Sequence, residues 1–294
     1  MFINAIERVQ KFTRPIHTLL RNYNSSIIEP GCATLFIINA DGWALTFKHV
    51  ADLFKLSTIL TKNRKNYYND ISLCKGKPKE KRLIKDTIRR YGYSKSSPFE
   101  VHIRVINCVV NASKIHSEKH PTLDIALLKF EDYEQLLCNE FPVFPKDTSG
   151  LKPGKFLCRF GFPFPEFTNF KLDTNRDEIC WTSEGRDSSP WFPIEGMITR
   201  HLADKQSKIC GFELSTPGLR GQSGGPAFDE EGNVWGMQSQ THHYDLNFDV
   251  SQKVMRNGIE KQVSDNAFLH TGRCIDVNSL KDFMREKGVQ FQEQ

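Results

Sequence analysis

The sequence has no run approaching the roughly 18 uninterrupted apolar residues that a membrane-spanning helix needs. No secretory leader is expected, because Glu7, Arg8, Lys11 and Arg14 break every early apolar run. Its eight cysteines (32, 74, 108, 138, 158, 180, 210, 274) form no Cys-x-x-Cys pair and no Cys/His ladder at zinc spacing. Free buried thiols and a cytoplasmic location are the expectation. The charge is nearly balanced, with 40 basic and 35 acidic side chains and a net of +5. No internal repeat is present. An apolar share of 38% and a charged share of 26% exclude disordered and collagen-like chains. At about 150 residues per domain, 294 residues make roughly two packing units.

The small surplus of charge has a location. Lys62 to Lys95 holds twelve basic residues against three acids, a local +9 that leaves the rest of the chain at −4. Tyr67, Tyr68, Tyr91 and Tyr93 lie among these charges. A solvated surface insertion at about 62–95 is the simple reading. Aromatic residues among cations also suit nucleic acid or an acidic partner, and a lid beside a binding cleft is a third reading.

Phe2, Ile6, Val9, Phe12, Ile16 and Leu19 recur at helical spacing and predict an N-terminal helical segment over 1–28, kinked at Pro15. From Ala33 the signals change to short strands. Asp41-Gly42 marks a hairpin before Trp43–Thr46, and further strands are predicted at 101–110, 124–130, 155–162, 196–199, 211–214, 226–228, 234–239 and 268–277. A Pro-containing connector covers 141–153. A final helix over 278–294 is predicted, capped by Asn278 or Ser279 and stopped by Gly288.

Gly221-Gln222-Ser223-Gly224-Gly225-Pro226 carries the chemical signal. A nucleophilic serine needs a tight turn and backbone N–H groups aimed at a developing oxyanion, and flanking glycines permit both. Chance produces such a string with odds on the order of 10⁻⁴ in a chain this long. A candidate base is His49, at the end of Leu45-Thr46-Phe47-Lys48-His49-Val50. A candidate acid is Asp124, at the head of Asp124-Ile125-Ala126-Leu127-Leu128.

These three segments, in this order, resemble the chymotrypsin/trypsin-like serine proteases. The likeness is strongest to their bacterial and intracellular branch, of high-temperature-requirement type, and runs from about Gly31 to Val277. It implies a mainly all-β fold of two six-stranded antiparallel β-barrels, over 29–150 and 151–277. The implied activity is that of a serine endopeptidase acting through an acyl-enzyme intermediate. Ser223 would be the nucleophile, His49 the base and Asp124 its orienting acid, with the N–H groups of Gly221 and Ser223 as the oxyanion hole. Gln238, Ser239, Gln240 and Thr241 would pair with an extended protein or peptide substrate. Ser239 would also support Asp124. No cofactor and no metal are implied.

The sequence departs from secreted relatives at Val50, where they carry a disulfide cysteine, and at Gln222, where they carry an aspartate. Activation by that aspartate is therefore not expected. Lys48 beside His49 would lower its pKa if the two met. About 55 residues follow Val234–Ser239, so a C-terminal peptide-binding domain is not expected. The absence of charge in Leu214–Leu219 points to small or apolar side chains at the cleaved position. Two alternatives use the same residues: an inactive protease-like peptide-binding module, and a protease whose basic insertion senses a polyanion.

Overall fold

The computed structural model describes the backbone of residues 1–294 and every side chain except that of Asn266. After a short helix α1 (Ile3–Val9) come strands β1 (Thr13–Asn22), β2 (Glu29–Ile37) and β3 (Trp43–Thr46). Two helices follow, α2 (Lys48–Ser72) and α3 (Glu80–Tyr91). The chain then forms β4 (Pro98–Val105), β5 (Val109–Val110), β6 (Lys114–Lys119), β7 (Ala126–Glu131), β8 (Gln135–Leu136) and β9 (Val143–Phe144). Six of these strands make one antiparallel sheet in the order β4-β1-β2-β3-β7-β6.

The second half contains β10 (Phe156–Gly161), β11 (Phe170–Asp173), β12 (Glu178–Trp181), β13 (Phe192–Ala203), β14 (Ile209–Leu214), β15 (Pro226–Phe228), β16 (Val234–Arg256) and β17 (Ile259–Asp276). β10-β13-β14-β17-β16-β15 closes into a barrel. Helix α4 (Val277–Glu286) and β18 (Gln292–Glu293) complete the chain. Asp276 caps α4 by accepting from the Asn278 and Ser279 N–H groups, and Gly288 ends it at φ +68°.

The two six-stranded units agree with the sequence reading; hydrogen bonding closes only the second into a barrel. The N-terminal helix is shorter than expected. Thr13–Asn22 is a strand paired with both β2 and β4, so the first sheet begins well before residue 29. The C-terminal helix likewise ends at Glu286, short of residue 294.

The basic stretch is a helical hairpin, α2 and α3, laid on β4. Its tyrosines point inward. Tyr23, Tyr67, Tyr68, Tyr91, Tyr93 and Phe99 form one aromatic cluster, and the Tyr23 and Tyr67 hydroxyls meet at 2.7 Å. An ion-pair network fixes the hairpin to both halves of the chain. Buried Glu100 pairs with Arg21 at 2.9 Å and Arg64 at 3.2 Å, while Arg21 also reaches Asp177 and Arg64 reaches Glu178. Removing one member of such a buried network leaves a charge uncompensated.

β16 and β17 run past the barrel as a long two-stranded ribbon, turned at Asn257-Gly258. Both turn residues have positive φ (54° and 75°), which matches the twist of a two-residue hairpin. Its base is held by buried Glu213, which accepts from Arg200, Arg273 and Tyr244.

His17 in β1 is fully buried, stacked on Phe167 with ring centroids 3.9 Å apart and hydrogen-bonded to Ser189 Oγ at 2.9 Å. Burial, and then the nearby Arg104 charge, push its pKa down from 6.5 to about 4. The unfolded chain therefore binds the extra proton more readily. His17 contributes stability above pH 6.5, and that contribution is lost as pH falls towards 4. Its size is roughly 3 kcal/mol. Denaturant unfolding across that window is expected to show a falling stability that His17→Gln largely flattens; an unchanged slope would remove His17 as its source.

Candidate active site

His49 is placed by the strand-to-helix transition. β3 ends at Thr46, Phe47 is extended, and the backbone turns into α2 one residue before His49. The buried Phe47 ring stacks on the imidazole at 5.5 Å and 13°. Asp124 lies in the bend leading to β7. Its Oδ2 is 2.7 Å from His49 Nδ1, and its Oδ1 accepts the His49 backbone N–H at 3.0 Å. One carboxylate thus holds both the ring and the first turn of its helix. Burial opposes the carboxylate's charge. The hydrogen bonds from the His49 ring and from the His49 and Lys48 amides outweigh burial and hold its pKa below the usual range. The positive end of the helix acts in the same direction.

Ser223 is placed by a turn that three glycines make possible. Gly221 and Gly224 have positive φ, 98° and 89°. A Cβ on Gly224 would lie 2.1 Å from Thr34 O, and one on Gly225 would lie 2.0 Å from Phe160 O. Thr34 of β2 grips this turn from the other half of the chain. Its N–H donates to Ser223 O at 3.0 Å, and its hydroxyl donates to Gly221 O at 2.8 Å while accepting from the Phe162 N–H at 3.2 Å. Gln222 is buried beneath the turn, accepting from the Leu219 N–H and donating to Phe192 O. An uncharged staple stands where secreted proteases have an aspartate. Among the described residues neither the Gly221 nor the Ser223 N–H donates to another backbone carbonyl. The Ser223 hydroxyl donates to Ser239 O at 3.1 Å.

A cleft of about 590 Å³ brings together His49, Asp124, Ser223, Gln238, Ser239, Gln240 and Thr241. A second cavity of about 530 Å³ flanks Ser223 and Gly221 on the side of α2, lined by Val50, Leu53, Leu56, Pro163 and Pro165. One sequence expectation differs from the geometry. The Ser239 hydroxyl makes no hydrogen bond to Asp124 among the described residues; only its carbonyl is engaged, by Ser223. The Lys48 ammonium binds the His120 carbonyl. Glu100, His102 and Glu178 cluster as metal ligands do, but Arg21 and Arg64 already neutralise these carboxylates.

Pro217, Gly218 and Leu219, from the stretch expected to floor the pocket, line the cleft, and so do Arg220, His243 and His270, of which sequence reasoning missed Arg220 and His270. The signal for the two histidines was Asn257-Gly258, whose turn pairs His243 with His270 across the ribbon. It also missed Arg159, fully buried behind the cleft wall.

A family model described as the trypsin-like peptidase domain matches residues 33–237. Among solved structures the chain is similar to the Rv3671c protease from M. tuberculosis in its active form. That match has 12% identity and a TM-score of 0.49, covering 98% of this chain and 86% of that one. It is also similar to the HtrA-type protease AlgW with a tripeptide, at 13% identity and a TM-score of 0.46, covering 98% of this chain and 65% of that one. No curated protein matches.

Thr34→Val removes the hydroxyl while keeping the shape and leaves the buried Gly221 carbonyl and Phe162 N–H without that partner. Such a loss costs about 1–3 kcal/mol. Chemical denaturation is expected to show this destabilisation, and Thr34→Ser to restore most of it. A Thr34→Val protein as stable as the parent would deny the clamp its energetic role.

Proposed function

The chain belongs to the trypsin-like peptidase family, and from that premise we propose that it is a serine endopeptidase working through Ser223, His49 and Asp124. The observation that carries this reading is the Asp124 carboxylate gripping both the His49 ring and its backbone, in the same cleft as Ser223. An extended substrate would lie along Gln238–Thr241. The Ser223 hydroxyl would turn from Ser239 O towards His49, which takes its proton as Oγ attacks the scissile carbonyl. The Gly221 and Ser223 N–H groups would receive the oxyanion. Collapse expels the amine, protonated by His49, and leaves an acyl group on Ser223. A water activated by His49 then releases the acid. The apolar cavity beside α2 would hold the leaving-group side of the substrate.

A fluorophosphonate is expected to label Ser223, and Ser223→Ala to abolish labelling. Asp124→Asn presents the wrong tautomer, and in triads of this type the loss is on the order of 10⁴-fold in kcat. A folded protein that resists labelling across pH 6–9 would favour the second reading, a peptide-binding module without turnover. The Ser223 hydroxyl held by Ser239 O is the observation on that side.

The eight cysteines are all free thiols, which favours the reducing cytoplasm as the location. With the tyrosines of α2 and α3 turned inward, the polyanion reading of this hairpin stands on its exposed cations alone. Binding of a nucleic acid or acidic polymer is expected to weaken steeply with salt. Binding that survives deletion of residues 62–95 would exclude the hairpin as the site.

A further inference from the structure

Arg159 is an unusual buried charge. Its side chain is fully enclosed, yet it makes no ion pair with any described residue. Its donors meet neutral acceptors only: Nη1 donates to Gln238 Oε1 at 2.8 Å, and Nη2 to Thr216 O, Thr216 Oγ1 and Pro217 O at 3.0, 2.5 and 3.1 Å. The neighbouring thiols Cys158 and Cys274 are themselves pushed up to about 12 by burial, so they supply no counter-charge at neutral pH. Its Nε has no partner. A buried cation without a counter-ion is costly, and an interior site normally provides one.

The side chain that separates this cation from the cleft is Gln238. A guanidinium only donates, so the amide oxygen of Gln238 must face Arg159 and its NH₂ must face the other way. That NH₂ lies against Gly218: a Cβ there would be 2.1 Å from Gln238 Nε2. Its one recorded acceptor is Gln240 O, at 3.3 Å. Gly218, Gln238 and Thr241 all line the cleft. Besides His49, the remaining charged groups of the lining are Arg220 on the cationic side and Asp124 on the acidic side, while His243 and His270 share a hydrogen bond between their Nδ1 atoms, which needs one of them as acceptor. Asp124 already has both oxygens on His49. The pocket beside Ser223 therefore has a positive field with no free acid.

We propose that this pocket selects an acidic side chain, glutamate or aspartate, at the acyl side of the cleaved bond, with Gln238 Nε2 as the donor and Arg159 as the positioning charge behind it. The inference deepens the protease reading of the same cleft, and it replaces the apolar preference expected from Leu214–Leu219. The substrate carboxylate would be the counter-ion that Arg159 lacks, reached through the polarised amide. A glutamine side chain would find the same donor without the Coulombic gain, and a lysine would meet repulsion.

The test separates selectivity from turnover. Ser223→Ala protein is titrated calorimetrically with peptides of one sequence ending in a C-terminal Glu, Gln, Leu or Lys. The Glu peptide is expected to bind on the order of tenfold more tightly than the Gln peptide, with Lys weakest. Equal affinities, or Leu strongest, would overturn the proposal. In parallel, the parent protein digests a peptide library. Cleavage after Glu and Asp supports both readings, and cleavage mainly after Leu or Lys overturns this one alone. No cleavage together with Glu-selective binding overturns the protease reading alone. Gln238→Glu pairs the buried cation internally and is expected to abolish the Glu-over-Gln preference, while Arg159→Lys keeps it. Thermal melts confirm that each variant folds. Should Arg159→Lys fail to fold, Gln238→Glu decides: a retained preference in that protein would refute the role of the field.

Discussion

The candidate site depends on a backbone clamp between the two halves of the chain. Thr34, in the first sheet, holds the Ser223 and Gly221 carbonyls, and so fixes the peptide planes that follow these two residues. Gly224 and Gly225 are packed so closely against Thr34 O and Phe160 O that no side chain fits. The turn is therefore set by steric exclusion and by paired buried polar groups, with no charge involved. Gln222, locked to Leu219 and Phe192, completes this neutral arrangement from below. Such a turn needs no new charged N-terminus to assemble it. Under the proposed function, the turn that would receive an oxyanion is already formed in the folded chain, as preorganised catalysis requires.

Charge is placed differently on the two sides of the cleft. Behind α2, the buried cations Arg21 and Arg64 meet Glu100, Asp177 and Glu178, and the network ties the helical hairpin to both halves. That hairpin carries His49 in its first turn, so the network also steadies the proposed base. Behind the opposite wall Arg159 pairs with no acid among the described residues. The same residue type serves as a structural anchor in one place and as an unsatisfied charge in the other. The contrast is what directs attention to the substrate as the missing partner.

The trypsin-like peptidase family was legible in the sequence because its motifs are local strings. The Gly-rich turn around Ser223, the strand end before His49 and the apolar run after Asp124 each declare themselves within a few residues. β1 was hidden for a physical reason. Its alternating buried positions are Thr13, Pro15, His17, Leu19 and Arg21, mostly polar, so the visible apolar spacing of Phe12, Ile16 and Leu19 imitated a helix. α2 was hidden because it docks partly through Arg64 and Tyr67, which lie outside any apolar stripe. The β16–β17 ribbon is exposed on both faces beyond the barrel, so it lacks the alternation of a half-buried strand, although Asn257-Gly258 marked its turn. Arg159 within a buried strand gave no sign of its surroundings, because a counter-ion's absence is a property of tertiary packing.

The most direct test of the preformed serine turn is a crystal structure with a peptidyl boronic acid. The account predicts boron bonded to Ser223 Oγ, one boronate oxygen accepting from the Gly221 and Ser223 N–H groups, and the Thr34 bonds to Gly221 and Ser223 unbroken. A boronate held without a bond to Ser223, or bound only after residues 221–224 have rearranged, would contradict it.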